Sequence, residues 1–147
     1  MKKKTINVLA VVALFSGIMF TSCLKDKNEV TPAPSITGNF DGVFKKLKKR
    51  TTGTGFDTVY KHGFAVRMKA DSGYTAVSDS VSHSNSNGTF ENDYNYIQFS
   101  DKTYTSGTTK LHLQGLYNYA FDGTRLQFLA GSGDTVLYFY DLRKTGN

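Results

Sequence analysis

The chain has 147 residues, with 18 basic and 12 acidic side chains and a formal net charge of +6. Three of the basic residues lie within the first four positions, so the rest of the chain is only weakly basic and no nucleic-acid partner is expected. The length allows one domain, and Cys23 is the only cysteine, so no disulfide can form within the chain.

The amino-terminal segment has the pattern of an export signal. Lysines at positions 2–4 precede an uncharged, largely apolar stretch from Ile6 to Phe20. Such a stretch is shorter than the roughly 20 residues that span a bilayer and has the length of a signal-peptide core. Positive charge before it holds the amino end on the cytoplasmic side. Residues 1–22 are therefore predicted to be a cleavable signal.

The residues that follow, Phe20-Thr21-Ser22-Cys23, resemble the lipobox of bacterial lipoproteins. The resemblance implies cleavage before Cys23, a lipid on its thiol, and stable attachment by two or three acyl chains. It departs from the family at Phe20, where Leu is commoner. Leu24 is not the Asp typical of inner-membrane retention, which implies the outer membrane, facing the periplasm or the cell exterior. An ordinary signal peptide cleaved elsewhere and an uncleaved anchor remain alternatives.

A linker separates this anchor from the predicted domain. Residues 23–37 are predicted to be a flexible tether that carries the lipidated cysteine, with a stiff, extended part at Pro32 and Pro34. No proline follows Pro34, as central hydrogen-bonded strands require. The folded domain is predicted to occupy residues 38–147.

Alternation of apolar and polar residues predicts about eight strands in this domain. The strands are predicted at residues 38–47, 58–69, 74–78, 89–91, 94–99, 111–121, 125–129 and 135–143. Asp122-Gly123 is a strong hairpin signal, because Gly tolerates the positive φ of a type I′ turn. Residues 80–88 are polar and are expected to form a loop outside the core. No segment after residue 37 has the period of a helix.

Consecutive strands with short connections favour an all-β fold, a small antiparallel up-and-down barrel of about eight strands. Closure is the simplest way to leave no strand edge unpaired. Eight strands enclose a space wide enough for side chains or one small ligand. A two-sheet β-sandwich is the alternative.

The opening and closing strands resemble those of the lipocalins and the wider calycin group. Gly38-Asn39-Phe40 stands where lipocalins carry Gly-x-Trp, and residues 138–143 are similar to the last barrel strand. The resemblance covers residues 37–144 and implies a lipocalin-like (calycin-type) barrel on a bacterial lipoprotein. Phe in place of Trp, the complete lack of Trp and the absence of a carboxy-terminal helical pattern are departures.

Two groups of side chains are candidates for binding. Aromatic residues at predicted inward positions would contact a small apolar or amphiphilic ligand, or would simply fill a small core; they are Phe44, Phe64, Tyr96, Tyr117, Tyr119 and Tyr138. A run of cations at the end of the first strand would meet an acidic polymer or anionic head groups, or would be a solvated tip that discourages edge pairing; it comprises Lys45, Lys46, Lys48, Lys49 and Arg50.

The pattern of histidines and serines predicts neither an enzyme nor a metal or cofactor site. His62, His83 and His112 lack the spacing of a metal site, and no nucleophile elbow is present. His83 is expected in the polar loop, and His112 is expected on the outer face of a strand that begins at Leu111. Catalysis would require His62 or His112 to converge with an acid in a cleft.

The sequence therefore favours an outer-membrane-anchored lipoprotein whose barrel holds a small apolar or amphiphilic molecule in its interior. The alternative is a structural or interaction lipoprotein that contacts an envelope protein or a glycan through its outer surface. The first hypothesis predicts an aromatic-lined cavity with an open mouth. The second predicts a filled interior and a functional patch near the basic run or near the serine-rich loop at residues 80–88.

Overall fold

A computed structural model describes residues 32–147, except for residues 79, 80, 133 and 134. The chain divides into two units, Met1–Thr31 and Pro32–Asn147, and only the second is among the described residues. The predicted signal and the lipidation site Cys23 fall in the first unit and lie outside the described residues. The second unit contains all the strands and core residues described below, so we expect it to fold without the first.

The second unit is a closed antiparallel barrel of eight strands, each paired with its sequence neighbours and the last paired with the first. The strands are β1 (Gly38–Lys49), β2 (Phe56–Met68), β3 (Gly73–Ser78), β4 (Ser86–Asn92), β5 (Tyr96–Asp101), β6 (Gly115–Phe121), β7 (Arg125–Ser132) and β8 (Val136–Gly146). The predicted up-and-down barrel is confirmed, and the sandwich alternative is wrong. The architecture fits a lipocalin-like fold.

The strands follow the alternation in the sequence. In β5, Ile97 and Phe99 are buried, whereas Tyr96 and Gln98 between them are exposed. Successive side chains of a strand point to opposite faces, so one face enters the barrel and the other meets solvent. The predicted Asp122-Gly123 hairpin is also present, with Gly123 at φ 94° and the Asp122 carboxylate accepting the Arg125 N–H at 2.6 Å.

Aromatic rings fill the barrel interior in mutual contact. Phe128 stacks on Tyr140 with ring centroids 4.3 Å apart, and Phe44 and Phe64 each lie 4.9 Å from Tyr140. Tyr140 is fully buried. Burying one such ring stabilises the fold by about 1.5–3 kcal/mol, and edge or offset ring contacts add to that. The interior of this barrel is a packed aromatic core.

Close approach of β1 and β8 explains the glycine in the middle of β1. A Cβ placed on Gly42 would lie 2.2 Å from the backbone oxygen of Asp141. Gly42 pairs with Leu142 in the ladder that closes the barrel. A side chain at this position would push the closing strands apart.

The linker before β1 belongs to the barrel. Ile36 is buried in the core, and the Pro34 carbonyl accepts a hydrogen bond from Asn92 Nδ2 at 3.1 Å. Pro34 and Ile36 both lie in the segment that the sequence predicts as a tether, and β1 begins after it, at Gly38. One buried apolar side chain in a Pro-containing segment gives no periodic signal, so this packing could not be read from the sequence.

The connections at the two ends of the barrel differ in length. Residues 69–72, 93–95 and 122–124 form short turns at the end where the chain enters. The opposite end carries longer connections, including residues 50–55, 81–85 and 102–114. We call this opposite end the mouth. The predicted sixth strand began at Leu111, but β6 begins at Gly115, because residues 111–114 cross the mouth instead of pairing with β5.

Candidate functional site

Two loop segments lie together across the mouth of the barrel. Leu111 forms an isolated parallel bridge with His83. Its N–H donates to the Ser82 carbonyl at 2.9 Å, and its carbonyl accepts from the Ser84 N–H at 2.8 Å. We call residues 82–84 and 110–114 the plug, because they cover the aromatic core at this end.

His83 is the part of the plug that enters the core. Its side chain is buried and packs edge-on against Phe44 and Phe64 at centroid distances of 5.1 and 4.9 Å. Nδ1 donates to the Ser84 carbonyl at 2.8 Å, so Nε2 is left to accept from the Tyr140 hydroxyl, also at 2.8 Å. Burial lowers the pKa of His83 to about 4, which keeps the ring neutral at neutral pH.

Two other core tyrosines fasten the second half of the plug. The Tyr74 hydroxyl donates to the Leu113 carbonyl at 2.6 Å, and the Tyr117 hydroxyl donates to the Gln114 carbonyl at 3.2 Å. Burial raises the pKa of Tyr117 to about 12, and it raises that of Tyr74 as well. Both groups therefore remain neutral donors, and the plug is hydrogen-bonded to the core beneath it.

A cleft of about 340 Å³ opens beside the plug. We call it the mouth cleft. Its apolar and aromatic wall is formed by Phe44, Leu111, Tyr60 and Tyr138, and Lys46 contributes a cation. The Lys46 ammonium lies 5.7 Å from the centre of the Tyr60 ring, a cation–π arrangement. A second cation, Lys110, also lines this cleft.

A second cleft, of about 430 Å³, is lined by other residues of the mouth loops and shares Lys110 with the mouth cleft. We call it the loop cleft. His83, His112 and Lys110 line it, and the remaining lining residues carry hydroxyl or amide groups. They are Ser78, Ser84, Asn85, Thr103, Thr105 and Thr108. The loop cleft is thus polar where the mouth cleft is amphipathic.

A histidine–aspartate pair supports the loop cleft. His112 Nδ1 lies 2.6 Å from Asp101 Oδ2; the Asp101 side chain is fully buried and that of His112 is 8% exposed. The other carboxylate oxygen accepts from the backbone N–H and the hydroxyl of Thr103. The exposed ring of Tyr104 stands edge-on to His112 at 5.3 Å. His112 therefore does not lie on the outer face of a strand, as the sequence suggested.

The structure separates the six aromatic candidates. Phe44, Phe64 and Tyr117 are buried in the core, and Phe44 also reaches the mouth cleft with the half-buried Tyr138. Tyr119 is half-buried and packs against the core at the short-turn end, where its hydroxyl donates to the Asp93 carbonyl at 2.6 Å. Tyr96 is 42% exposed on the outer face of β5, so its predicted inward position is wrong.

The basic run does not form a single patch. Lys46 lines the mouth cleft, whereas Lys45, one residue earlier on β1, lies over the outer Phe139 ring at 5.6 Å. By the same alternation Lys48 shares the face of Lys46, and Lys49 shares that of Lys45. Past the end of β1, the Arg50 guanidinium pairs with the exposed Asp57 at 2.8 Å. The cations therefore point to two faces of the sheet.

The sequence prediction missed the residues of the plug. His83 stands in the run Ser82-His83-Ser84, whose polarity indicated a solvated loop, yet it is 1% exposed. Asp101 and His112 are eleven positions apart with no regular structure between β5 and β6, so no periodic pattern joins them. Such contacts are tertiary and carry no local signal.

Comparison with models of protein families, with curated proteins and with solved structures found no match for this chain. No group of three metal-ligating side chains occurs among the described residues. In the same part of the chain, no helix is long and apolar enough to cross a bilayer.

Proposed function

We propose that this chain is a lipocalin-like lipoprotein, anchored to the outer membrane through Cys23, whose barrel binds a small amphiphilic anion in the mouth cleft. The observation that carries the proposal is the joint presence of an apolar wall and two cations in one cleft, with Phe44 and Leu111 in the wall and Lys46 and Lys110 as the cations.

The chemistry of the mouth cleft selects for a ligand with two unlike ends. An acyl or aromatic portion would be covered by the wall, where each buried methylene contributes about 0.8 kcal/mol. A carboxylate or phosphate would meet Lys46 and Lys110, and each charge-assisted hydrogen bond contributes about 1.5–3 kcal/mol. A volume of about 340 Å³ is at the small end of the range for ligand pockets.

The described part of the chain enters the barrel through Pro34 and Ile36 at the short-turn end, so the mouth is the end opposite to this point of entry. The anchor itself rests on the resemblance of Phe20-Thr21-Ser22-Cys23 to a lipobox.

The test is a fluorescence titration of residues 32–147 with 11-(dansylamino)undecanoate, whose emission rises when the probe enters an apolar site. We expect saturable binding that dodecanoate displaces and that dodecyltrimethylammonium, which has the opposite charge, does not. The double variant Lys46→Gln with Lys110→Gln should bind about tenfold more weakly, since one lost charge-assisted contact exceeds the 1.4 kcal/mol that corresponds to that factor.

A matched control is available on the same hairpin. Lys61 pairs with Lys45 on the outer side of the β1–β2 ladder, away from the mouth cleft. Lys61→Gln removes one lysine charge from the outer face and should leave the titration unchanged. Equal displacement by the cationic amphiphile, or equal loss in the Lys61→Gln variant, would contradict recognition of an anion in the mouth cleft.

A further inference from the structure

The loop cleft is lined by His112, whose imidazole is oriented by the buried Asp101. Asp101 is fully buried and accepts three hydrogen bonds, one from His112 and two from Thr103. A buried carboxylate costs free energy unless it is paired, and removing its partner is strongly destabilising. The arrangement fixes the imidazole with Nδ1 turned to Asp101, which leaves Nε2 as the nitrogen available to a ligand.

The surroundings of His112 indicate what that ligand is. Thr105, Thr108 and Asn85 line the same cleft and offer hydroxyl and amide groups that both donate and accept. Lys110 supplies a cation, and the Asp101 carboxylate, which is hydrogen-bonded to Thr103 and His112, is not among the lining groups. The lining therefore matches a ligand rich in hydroxyl groups that also carries negative charge.

We propose that the loop cleft binds an acidic saccharide, with the sugar carboxylate on the Lys110 ammonium, one sugar hydroxyl donating to His112 Nε2, and other hydroxyls on the threonine side chains. The exposed Tyr104 ring at the rim offers a flat apolar surface for a sugar face. A cleft of about 430 Å³ lies within the range of small-ligand pockets. This site goes beyond the proposed function, because its lining residues other than Lys110 differ from those of the mouth cleft and it takes a ligand of another class.

Two substitutions separate the ligand-facing nitrogen from the structural one. The amide of Asn places its nitrogen where Nδ1 stands in His, so His112→Asn preserves the bond to Asp101 and removes Nε2. The amide of Gln reaches the position of Nε2, so His112→Gln keeps a group that can accept a hydrogen bond from a sugar hydroxyl. If His112 only supports the loop, neither variant should change binding, provided that its thermal stability equals that of the unsubstituted protein.

The test is isothermal titration of residues 32–147 with trigalacturonate, its methyl ester and sodium sulfate. We expect saturable binding of the acid, at least tenfold weaker binding of the ester, and no competition by sulfate at equal ionic strength. His112→Asn should lose at least tenfold in affinity, and His112→Gln should retain more than His112→Asn. Absence of saturable trigalacturonate binding, equal binding of acid and ester, or displacement by sulfate would each overturn the proposal.

A reciprocal variant keeps this outcome distinct from that of the proposed function. Tyr138 lines the mouth cleft and not the loop cleft. Tyr138→Ser should weaken the dansylundecanoate titration and leave trigalacturonate binding intact, whereas His112→Asn should do the reverse. If either variant abolishes both titrations, the two clefts do not act as separate sites and the inference is overturned.

Discussion

The buried His83 makes the stability of the barrel depend on pH in a predictable direction. Burial lowers its pKa to about 4 in the folded protein, against about 6.5 when exposed. Between these values the unfolded chain binds a proton at this position and the folded chain does not. Stability is therefore highest above pH 6.5 and is lost as the pH falls toward 4.

The size of this effect follows from the two pKa values. Lowering the pH from 7 to 5 should reduce the free energy of unfolding by about 2 kcal/mol through His83 alone. For a domain of this size, such a loss corresponds to a fall in Tm of roughly 6–10 °C. The carboxylates contribute mainly at lower pH, because both Asp122 and Asp141 have pKa values that are lowered from an ordinary value near 4.

Urea unfolding of residues 32–147 at pH 7 and pH 5 measures the change directly. The control is His83→Gln, whose amide can still donate to the Ser84 carbonyl or accept from Tyr140 but does not titrate. His62 and His112 remain in both proteins, so their contributions cancel in the comparison. The reasoning fails if the two proteins lose the same free energy of unfolding between pH 7 and pH 5.

Three further changes have definite expected outcomes. Tyr140→Phe removes the donor to His83 Nε2 and should lower the free energy of unfolding by about 1–3 kcal/mol, whereas the exposed Tyr96→Phe should change it by less than about 0.5, both by urea unfolding. Gly42→Ala forces apart β1 and β8 and should lower the free energy of unfolding by about 3 kcal/mol or give a protein that folds poorly. A Cβ on Gly146 would have its nearest neighbour 3.5 Å away, so Gly146→Ala should change the free energy of unfolding little. Equal losses in the two variants would refute the close-approach argument. Cys23→Ala in the full chain should abolish labelling by an alkyne fatty acid and release the protein from the membrane fraction, and persistent labelling would contradict the lipobox interpretation.

The fold was predictable because its signal is local. Alternation in β5 and β8 places Phe99 and Tyr140 inward whatever the rest of the chain does, and eight such strands in sequence close most simply as a barrel. The same alternation, applied consistently, predicts the outward position of Tyr96. Ile97 and Phe99 are apolar and face inward, so Tyr96, which is adjacent to Ile97, must face outward.

The mouth was not predictable by the same rule. Leu111 and Leu113 alternate with polar residues as a strand would, yet they lie in the plug, and Leu113 is fully buried. A loop that covers a core can bury apolar side chains at alternate positions, and this can imitate the period of a strand. His83 shows the opposite error. The serines on both sides of it predicted a solvent-exposed side chain, but the tertiary fold places its ring against Phe44.

The plug also bears on whether a ligand would bind inside the barrel or beside the plug in the mouth cleft. A ligand inside the barrel would have to displace the loops and break the hydrogen bonds that Tyr74, Tyr117 and Tyr140 make to them. Each buried group left without a partner costs about 1–3 kcal/mol, so about 3–9 kcal/mol is lost before any ring of the core moves. For a ligand of drug size, the binding free energy is at most about 0.3 kcal/mol per non-hydrogen atom. Binding beside the plug in the mouth cleft avoids this cost, because Phe44 and Leu111 are already in place there.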